Sequence, residues 1–206
     1  MNHGLRVIAL PAPRPRGPLS LEEAIAGRRS RRSYSPEPLT LWEAAQLLWA
    51  AQGVTEPHEG LRAAPSAGAT YPLELYLAAG RVEDLEPGVY HYISGAHALR
   101  GPRPRGDPRP GLYKACLEQP WVLEAPASIV IAAVPGRTTS VYGKRGMRYV
   151  YMEAGHASQN IYLQAEALGL ATVAVAAFHD EHVARLLQLP GNTVPLYVMP
   201  VGHRPR

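Results

Sequence analysis

The segment MRYVYMEAGHASQNIYLQAEAL, residues 147–168, carries the longest helical pattern in the chain. Apolar and small residues return there every three or four positions, at Met147, Val150, Tyr151, Ala154, Ala157, Ser158, Ile161, Ala165 and Leu168. Gly169 follows at a position where helices commonly end. Because the remaining positions are far from uniformly polar, we expect other parts of the chain to cover this helix on most sides.

Shorter elements flank this helix in the sequence. Capping boxes, Ser20 with Glu23 and Thr40 with Glu43, predict helices at about 20–27 and 41–52. Further helices are predicted at 112–118 and 180–187, and strands at 73–79, 88–93, 127–134, 171–176 and 194–201, the first two strands being antiparallel partners. Residues 54–71 and 94–110, rich in Gly and Pro, are predicted loops. Since helices and strands do not alternate regularly, the pattern favours an α+β fold.

The composition is that of one globular domain. The chain has 206 residues, 46% of them hydrophobic, which suffices for a single core. We expect one domain at 19–206 after an extended Pro- and Arg-rich arm at 1–18. No apolar run approaches the roughly 20 residues of a membrane span, and the N-terminus lacks a signal-peptide pattern, so we expect a cytoplasmic protein. The single cysteine, Cys116, is expected to be a buried hydrophobe.

A dense basic segment follows the first predicted helix. It reads Arg28-Arg29-Ser30-Arg31-Arg32-Ser33-Tyr34 in a chain of net charge +4. In extended backbone, alternate residues point the same way, so Arg28, Ser30 and Arg32 would line one side and donate to a phosphate. The segment alone is equally typical of a solvated basic turn or a nucleic-acid patch. Its shortness, with Tyr34 as its one stacking residue, argues against nucleic acid.

Three other segments have the chemistry of a cofactor site. Residues 65–72, PSAGATYP, combine small side chains with hydroxyls, so that a planar ring could approach the backbone. Residues 175–178, VAAF, run from a strand end towards a helix start, where free backbone N–H groups favour negative charge. Residues 201–204, VGHR, place basic groups after the last strand. Each segment alone is also compatible with an ordinary connection or a basic tail.

The sequence lacks the residue patterns of a metal site and of a hydrolase. Glu153 and His156 have the spacing of a di-iron helix, but no second such pair exists. The cluster from His179 to His182 has consecutive residues that point apart on a helix. No G-x-S-x-G segment is present, so no nucleophile has a supporting context. We therefore expect no metal site.

The basic segment resembles the R-[RH]-S-x-[RK]-x-[FY] opening of the nitroreductase family of FMN enzymes. Three further parts resemble the branch of flavin oxidases that act in thiazole and oxazole peptide biosynthesis: residues 65–74, the run from Tyr142 through Arg148 into residues 153–156, and Gln159-Asn160 followed by Gly169-Leu170. The resemblance extends over about residues 20–204, and the four segments occur in the same order and spacing as in that branch.

This resemblance implies an α+β nitroreductase-like fold, with a central mixed or antiparallel sheet flanked by helices, and an intertwined homodimer with FMN at its interface. It implies that Arg28, Arg29, Ser30, Arg32 and Arg204 hold the phosphate and ribityl end. It places Pro65, Ser66, Ala67, Gly68 and Ala69 beside the ring, and the backbone N–H groups of Ala176 and Ala177 at its N5 and O4 edge. Tyr142, Lys144, Arg145 and Tyr151 are the candidates for the substrate face.

The implied activity is hydride transfer through flavin N5, from NAD(P)H or an organic substrate to a nitro compound, a quinone or oxygen. An azoline-type desaturase or oxidase of peptide modification is the narrower alternative. In that branch a Lys-Tyr pair serves desaturation, whereas Lys144 is followed here by Arg145. A basic nucleic-acid-binding module is the alternative from a different class of protein.

Overall fold

A seven-stranded sheet forms the centre of the computed structural model, which describes residues 6–205. Its strands are β1 (Arg6–Ala9), β4 (Leu73–Ala79), β5 (Gly88–Ile93), β6 (Ala98–Gly101), β7 (Ala127–Ala133), β8 (Leu170–Thr172) and β9 (Val194–His203). Their spatial order is β1-β6-β5-β4-β7-β9-β8, and every neighbouring pair is antiparallel. A separate hairpin joins β2 (Val54–Glu56) to β3 (Leu61–Arg62). The expected α+β fold is therefore confirmed.

Helices cover both faces of this sheet. They are α1 (Leu21–Gly27), α2 (Leu41–Gln52), α3 (Arg109–Ala115), α4 (Pro120–Glu124), α5 (Gly136–Tyr142), α6 (Gly146–Ala167) and α7 (Asp180–Leu187). On one face, residues such as Leu75 and Ile129 pack against α2 and α6. On the other, Val130 and Val198 pack against α3, α4 and α7. Alternate residues of each strand thus enter two separate cores, as the two-residue period of a strand requires.

Local signals explain why several helices begin where the sequence predicts. Both capping boxes are present, since Ser20 accepts from the backbone of Glu23 and Thr40 accepts from the backbone of Glu43. The long helix α6 ends at Ala167, before Gly169 at φ 70°. Its buried positions include Val150, Ala154, Ala157 and Ile161, which confirms these members of the predicted apolar pattern, whereas Tyr151, predicted on the same stripe, is 58% exposed.

The structure corrects the sequence-based assignment at several connections. The predicted loops 54–71 and 94–110 contain the hairpin β2–β3 and the strand β6. These strands have only two to four residues, too few to show an alternating pattern, and β6 also pairs with β1, which is distant in sequence. Helices α4 and α5 were not predicted. The strand predicted at 171–176 ends at Thr172, and Val175 retains only an isolated bridge to Val198.

No helix within residues 6–205 combines the length and the apolar character needed to cross a membrane. Within the same residues, no group of three or more His, Cys, Asp or Glu side chains is arranged to hold a metal ion. Cys116 is buried, as expected, and burial raises the pKa of its thiol to about 12.

Candidate functional site

The basic segment 28–34 is fixed to the sheet by its backbone. The N–H of Arg31 donates to the carbonyl of Thr172 at 2.9 Å, at the end of β8. The N–H of Ser35 donates to the carbonyl of His203 at 2.9 Å, at the end of β9. The segment therefore runs beside the ends of two neighbouring strands, which brings the C-terminal Arg204 into the same region.

Tyr162 of α6 organises two of the candidate phosphate ligands. Its hydroxyl accepts from the backbone N–H of Ala174 at 2.7 Å and lies 2.9 Å from Oγ of Ser30. The guanidinium carbon of Arg28 lies 5.2 Å from the centre of the Tyr162 ring, within the range of a cation–π contact. Tyr162 thus orients Ser30 and Arg28 on the same side of the segment, as the alternation of an extended chain predicts.

A buried carboxylate holds two further arginines. Glu166, only 9% exposed, forms ion pairs with Nη2 of Arg31 at 3.4 Å and Nη2 of Arg204 at 2.7 Å. Arg204 also donates from Nε to the carbonyl of Leu170 at 3.1 Å. Arg29 is engaged elsewhere, since its Nη1 donates to the carbonyls of Ala26 and Arg28 at the end of α1. Arg29 therefore has local partners at the end of α1, whereas Arg31 is tied to α6 through Glu166.

Free donors remain at this end of the molecule. Arg28 and Arg32 have no carboxylate partner among residues 6–205. The guanidinium of Arg32 lies 5.3 Å above the Trp121 ring. The indole N–H of Trp121 and the hydroxyl of Thr172 are buried without a hydrogen-bond partner in the described chain. This set of unpaired cations and neutral donors is what a phosphate group satisfies.

The residues Ala176 and Ala177 lie in the exposed connection between β8 and α7. The side-chain amide of Gln119 donates to the carbonyl of Ala177 at 2.9 Å and also to that of Cys116 at 2.8 Å. Gln119 precedes α4, the helix that carries Trp121. The structure therefore brings residues 176–177 and the Arg32 side chain to the same helix, α4.

The loop at 65–69 forms a short 3-10 turn, Ala67–Ala69, held by its hydroxyls. Ser66 accepts from the N–H of Tyr71 at 2.9 Å, and the hydroxyls of Thr70 and Thr138 are 2.8 Å apart. Gly68 has φ 57°, and a Cβ built there would lie 2.5 Å from the hydroxyl oxygen of Tyr142. A glycine is required at this point by both the backbone and the neighbouring ring.

The candidate substrate-face residues divide between this loop and open surface. Tyr142 contacts Gly68 and packs edge-to-face on Tyr149 with centroids 5.1 Å apart. Arg145 donates from Nε to the hydroxyl of Tyr149 at 3.1 Å. Lys144 is exposed, and Tyr151 is 58% exposed on α6. Tyr149, which the sequence did not single out, is therefore the aromatic centre of this group.

Glu153 is a further residue that sequence reasoning did not place in the site. It is 3% exposed, its Oε1 has no hydrogen-bond partner among the described residues, and burial raises the pKa of its carboxyl despite a hydrogen bond with Ser66. It lines a cleft of about 290 Å³ together with the loop residues Pro65, Ser66 and Ala67 and with Tyr149, Met152 and His156. The sequence does contain one sign of this role, because Glu153 is a carboxylate next to the apolar positions of the α6 pattern.

The candidate residues thus form two groups along α6. The first surrounds Tyr162 and Glu166 and contains Arg28, Arg29, Ser30, Arg32, Ala176, Ala177 and Arg204. The second surrounds Glu153 and contains Pro65, Ser66, Ala67, Gly68, Ala69, Tyr142, Lys144 and Arg145. Nine residues separate Glu153 from Tyr162, which is about 13 Å at 1.5 Å per residue. Within one chain the two groups remain apart.

The protein has an antiparallel sheet between two helix layers, and the donors of residues 28–34 and Arg204 lie beside β8 and β9. This arrangement is that of an α+β protein of the nitroreductase type. Residues 25–203 match the model of the nitroreductase family. A Methanocaldococcus jannaschii protein named as a nitroreductase is 45% identical over 188 residues, 90% of this chain and 92% of that protein. A crystal structure named as a Ralstonia eutropha nitroreductase superposes with a TM-score of 0.85 and 28% identity, covering 98% of this chain and 90% of that one.

The chain is also similar to the microcin B17-processing protein McbC of Escherichia coli. The identity is 30% over 154 residues, 71% of this chain, and the match spans 56% of McbC. The chain belongs to the nitroreductase family, and it is an oxidoreductase of that family, in which FMN is the usual cofactor. Family membership makes the protein an enzyme and sets aside the basic binding module as its class.

Proposed function

We propose that this protein is an FMN-dependent oxidoreductase that passes a hydride from NAD(P)H or an organic substrate to a small acceptor such as a nitro compound, a quinone or oxygen. The observation that carries the proposal is the donor set around Tyr162. Two unpaired guanidinium groups, a positioned Ser30 hydroxyl and buried unpartnered donors fit a phosphate monoester, the one charged end of FMN.

The residues near the loop fit the planar end of the same cofactor. Ala67, Gly68 and Ala69 present little side-chain bulk, and the Tyr142 ring lies against Gly68 on one side of the loop. Bound FMN would supply the reversible two-electron chemistry at its N5. The chain's own groups would hold its phosphate, exclude water with Tyr142 and Tyr149, and present the backbone N–H groups of Ala176 and Ala177 to the ring edge.

We propose further that each site takes residues from both subunits of a homodimer. The support for this arrangement is the membership of the chain in the nitroreductase family, whose resemblance implies an intertwined homodimer with FMN at its interface. The separation of about 13 Å between the two groups along α6 is compatible with it. A two-fold dimer with α6 near the axis would set each group beside the complementary group of its partner.

The phosphate assignment is tested with Arg28→Ala. Loss of a hydrogen bond to a charged group costs about 1.5–3 kcal/mol, which is about a ten- to 150-fold rise in the Kd for FMN. Fluorescence quenching of FMN on titration with protein measures this change. Arg16→Ala, at an exposed position of the N-terminal segment, is the matched control and should leave the Kd unchanged. An unaltered Kd in Arg28→Ala would remove this residue from the phosphate site.

The shared site is tested by mixing two defective chains. Arg28→Ala with Arg32→Ala disables the donor group, and Ala67→Trp fills the loop group. In a mixed dimer, a site shared between subunits leaves one of the two sites with both groups intact. Random co-refolding of equal amounts makes about half of the dimers mixed, so about a quarter of the wild-type FMN-binding capacity returns. If each site belongs to a single chain, the mixture binds no more FMN than the separate variants.

A second candidate, an oxidase or desaturase of azoline-type peptides, is favoured by the similarity to McbC. The structure offers a phenol, that of Tyr149, in contact with Arg145, and the exposed Lys144 precedes Arg145 in sequence. Oxygen uptake with an azoline-containing peptide distinguishes this activity from nitro or quinone reduction. Tyr149→Phe should lower the rate of azoline oxidation and leave quinone reduction by NAD(P)H nearly unchanged.

A further inference from the structure

A basic groove crosses the sheet on the face opposite α6. We define it by six lining residues: Glu74, Tyr76, His91, Arg100, Arg103 and Arg137. It consists of two adjoining clefts of about 660 and 260 Å³, which share Tyr76, His91 and Arg100. Tyr76 belongs to the core beneath α3, α4 and α7, whereas α2 and α6 pack on the other face. None of the groove residues belongs to either group of the candidate flavin site, so the basic groove is a distinct surface.

Protein partners hold three basic side chains of the groove, those of His91, Arg103 and Arg137, in place. Glu74 lies between His91 and Arg137, with Oε2 at 2.6 Å from Nε2 of His91 and Oε1 at 2.5 Å from Nη2 of Arg137. The ring of His91 stacks on Tyr76 at 4.9 Å. Arg103 donates from Nε to Gln188 at 2.8 Å, which leaves its terminal nitrogens available. These side chains are oriented before any ligand arrives, which lowers the entropic cost of binding.

The charge of the basic groove is unbalanced. Although burial alone would raise the pKa of Glu74, its hydrogen bonds with His91 and Arg137 hold that pKa below the usual value, so this carboxyl is ionised at neutral pH. It is the one acidic residue among the groove residues, against three arginines. Arg100 is exposed and forms no ion pair with any residue in 6–205. The groove therefore retains about two positive charges in need of an anion.

The shape of the groove indicates an extended ligand. Arg100 lies on β6, His91 on β5, Glu74 on β4, and Arg137 follows β7, so the groove crosses four neighbouring strands. At about 4.8 Å per strand this is about 14 Å, the length of four residues of extended peptide. Tyr76 is 8% exposed and covered by His91, so no open aromatic face is available to stack on a nucleotide base.

We propose that the basic groove binds an acidic peptide segment in extended conformation, with carboxylates paired to Arg100, Arg103 and Arg137. Arg137 connects this site with the candidate active site, because its Nη1 donates to the carbonyl of Tyr71, at the end of the loop that contains Gly68. A peptide held in the groove would therefore reach the edge of the substrate face. The proposal goes beyond the flavin chemistry and does not require it.

The experiment measures the fluorescence anisotropy of a fluorescein-labelled hexaglutamate peptide titrated with the full chain, with and without added FMN. The test variant is Arg100→Glu with Arg103→Glu. The control is Arg105→Glu with Lys114→Glu, an equal change of charge at exposed positions that do not line the groove. We expect salt-sensitive binding that weakens at least tenfold in the test variant and less than twofold in the control.

Three results would overturn the proposal. The first is no binding of hexaglutamate by the wild-type chain, and the second is an equal loss of affinity in the test and control variants. The third is displacement of the peptide by millimolar pyrophosphate, with pyrophosphate the tighter ligand of the groove. The last result would identify a phosphate compound as the occupant. Because binding is followed without any flavin-dependent readout, a failure here leaves the proposed oxidoreductase function standing, and a failure of FMN binding leaves this test intact.

Discussion

Replacing Tyr162 by Phe tests whether α6 organises the phosphate end of the site. The phenol accepts from the N–H of Ala174 at 2.7 Å and contacts Ser30 at 2.9 Å. Phe retains the ring that Arg28 covers, so the cation–π contact survives and only the hydroxyl is lost. The Ala174 N–H is then left without its acceptor at a half-buried position, which costs about 1–3 kcal/mol.

We therefore expect Tyr162→Phe to lower the free energy of unfolding by about 2 kcal/mol. For a chain of this size that corresponds to about 4–8 °C in Tm. Urea denaturation followed by circular dichroism measures the loss, and Tyr151→Phe, at a 58% exposed position of the same helix, should change the stability by less than about 0.5 kcal/mol. FMN affinity should also fall, because Ser30 loses the group that orients it. If both variants are equally stable, water replaces the hydroxyl and the organising role of Tyr162 is refuted.

Two further substitutions test the other group. Glu153→Gln should stabilise the protein at pH 8 by about 1 kcal/mol or more, the scale of an unsatisfied buried polar atom. Because burial raises the pKa of Glu153 above the reference 4.5, ionisation destabilises the folded wild type as pH rises, and the gain should vanish in urea denaturation at pH 4. Gly68→Ala should cost about 1–2 kcal/mol from its φ of 57°, plus the displacement of Tyr142. Gly60→Ala, at φ 69° with nothing within 4 Å, shows the backbone cost alone, so equal losses in these two variants would contradict the Tyr142 contact.

The parts of the fold that the sequence predicts well are those with local causes. Helices α1 and α2 begin at capping boxes formed by residues three apart, and β4 and β7 are long apolar runs. The strand β6 has four residues and is paired on both sides by β1 and β5. The pairing with β1 joins segments remote in sequence, and a strand of four residues is too short to show a local pattern of its own.

The candidate site shows the same division. The basic segment 28–34 is conspicuous because its donors are dense in the sequence, and Gly68 is conspicuous as part of a small-residue loop. Tyr162 and Glu166 resemble ordinary positions of a well-covered helix, and their importance comes from partners brought by β8 and β9. Their spacing of four residues places them on one face, and this was the one sequence signal that they act together.

The helix α6 connects both groups of the site to the core. Val150, Ala157 and Ile161 are fully buried beneath the sheet, whereas Glu153 and Tyr162 are the polar groups that α6 contributes to the two ends. A rigid helix fixes the distance between those ends, so neither group can move towards the other within a chain without disrupting the main core. The proposed homodimer would let a cofactor meet the two groups across two chains, whereas a single chain would have to offer both groups to one cofactor. The mixed-dimer experiment distinguishes these two arrangements, which the loss of activity in a single variant does not.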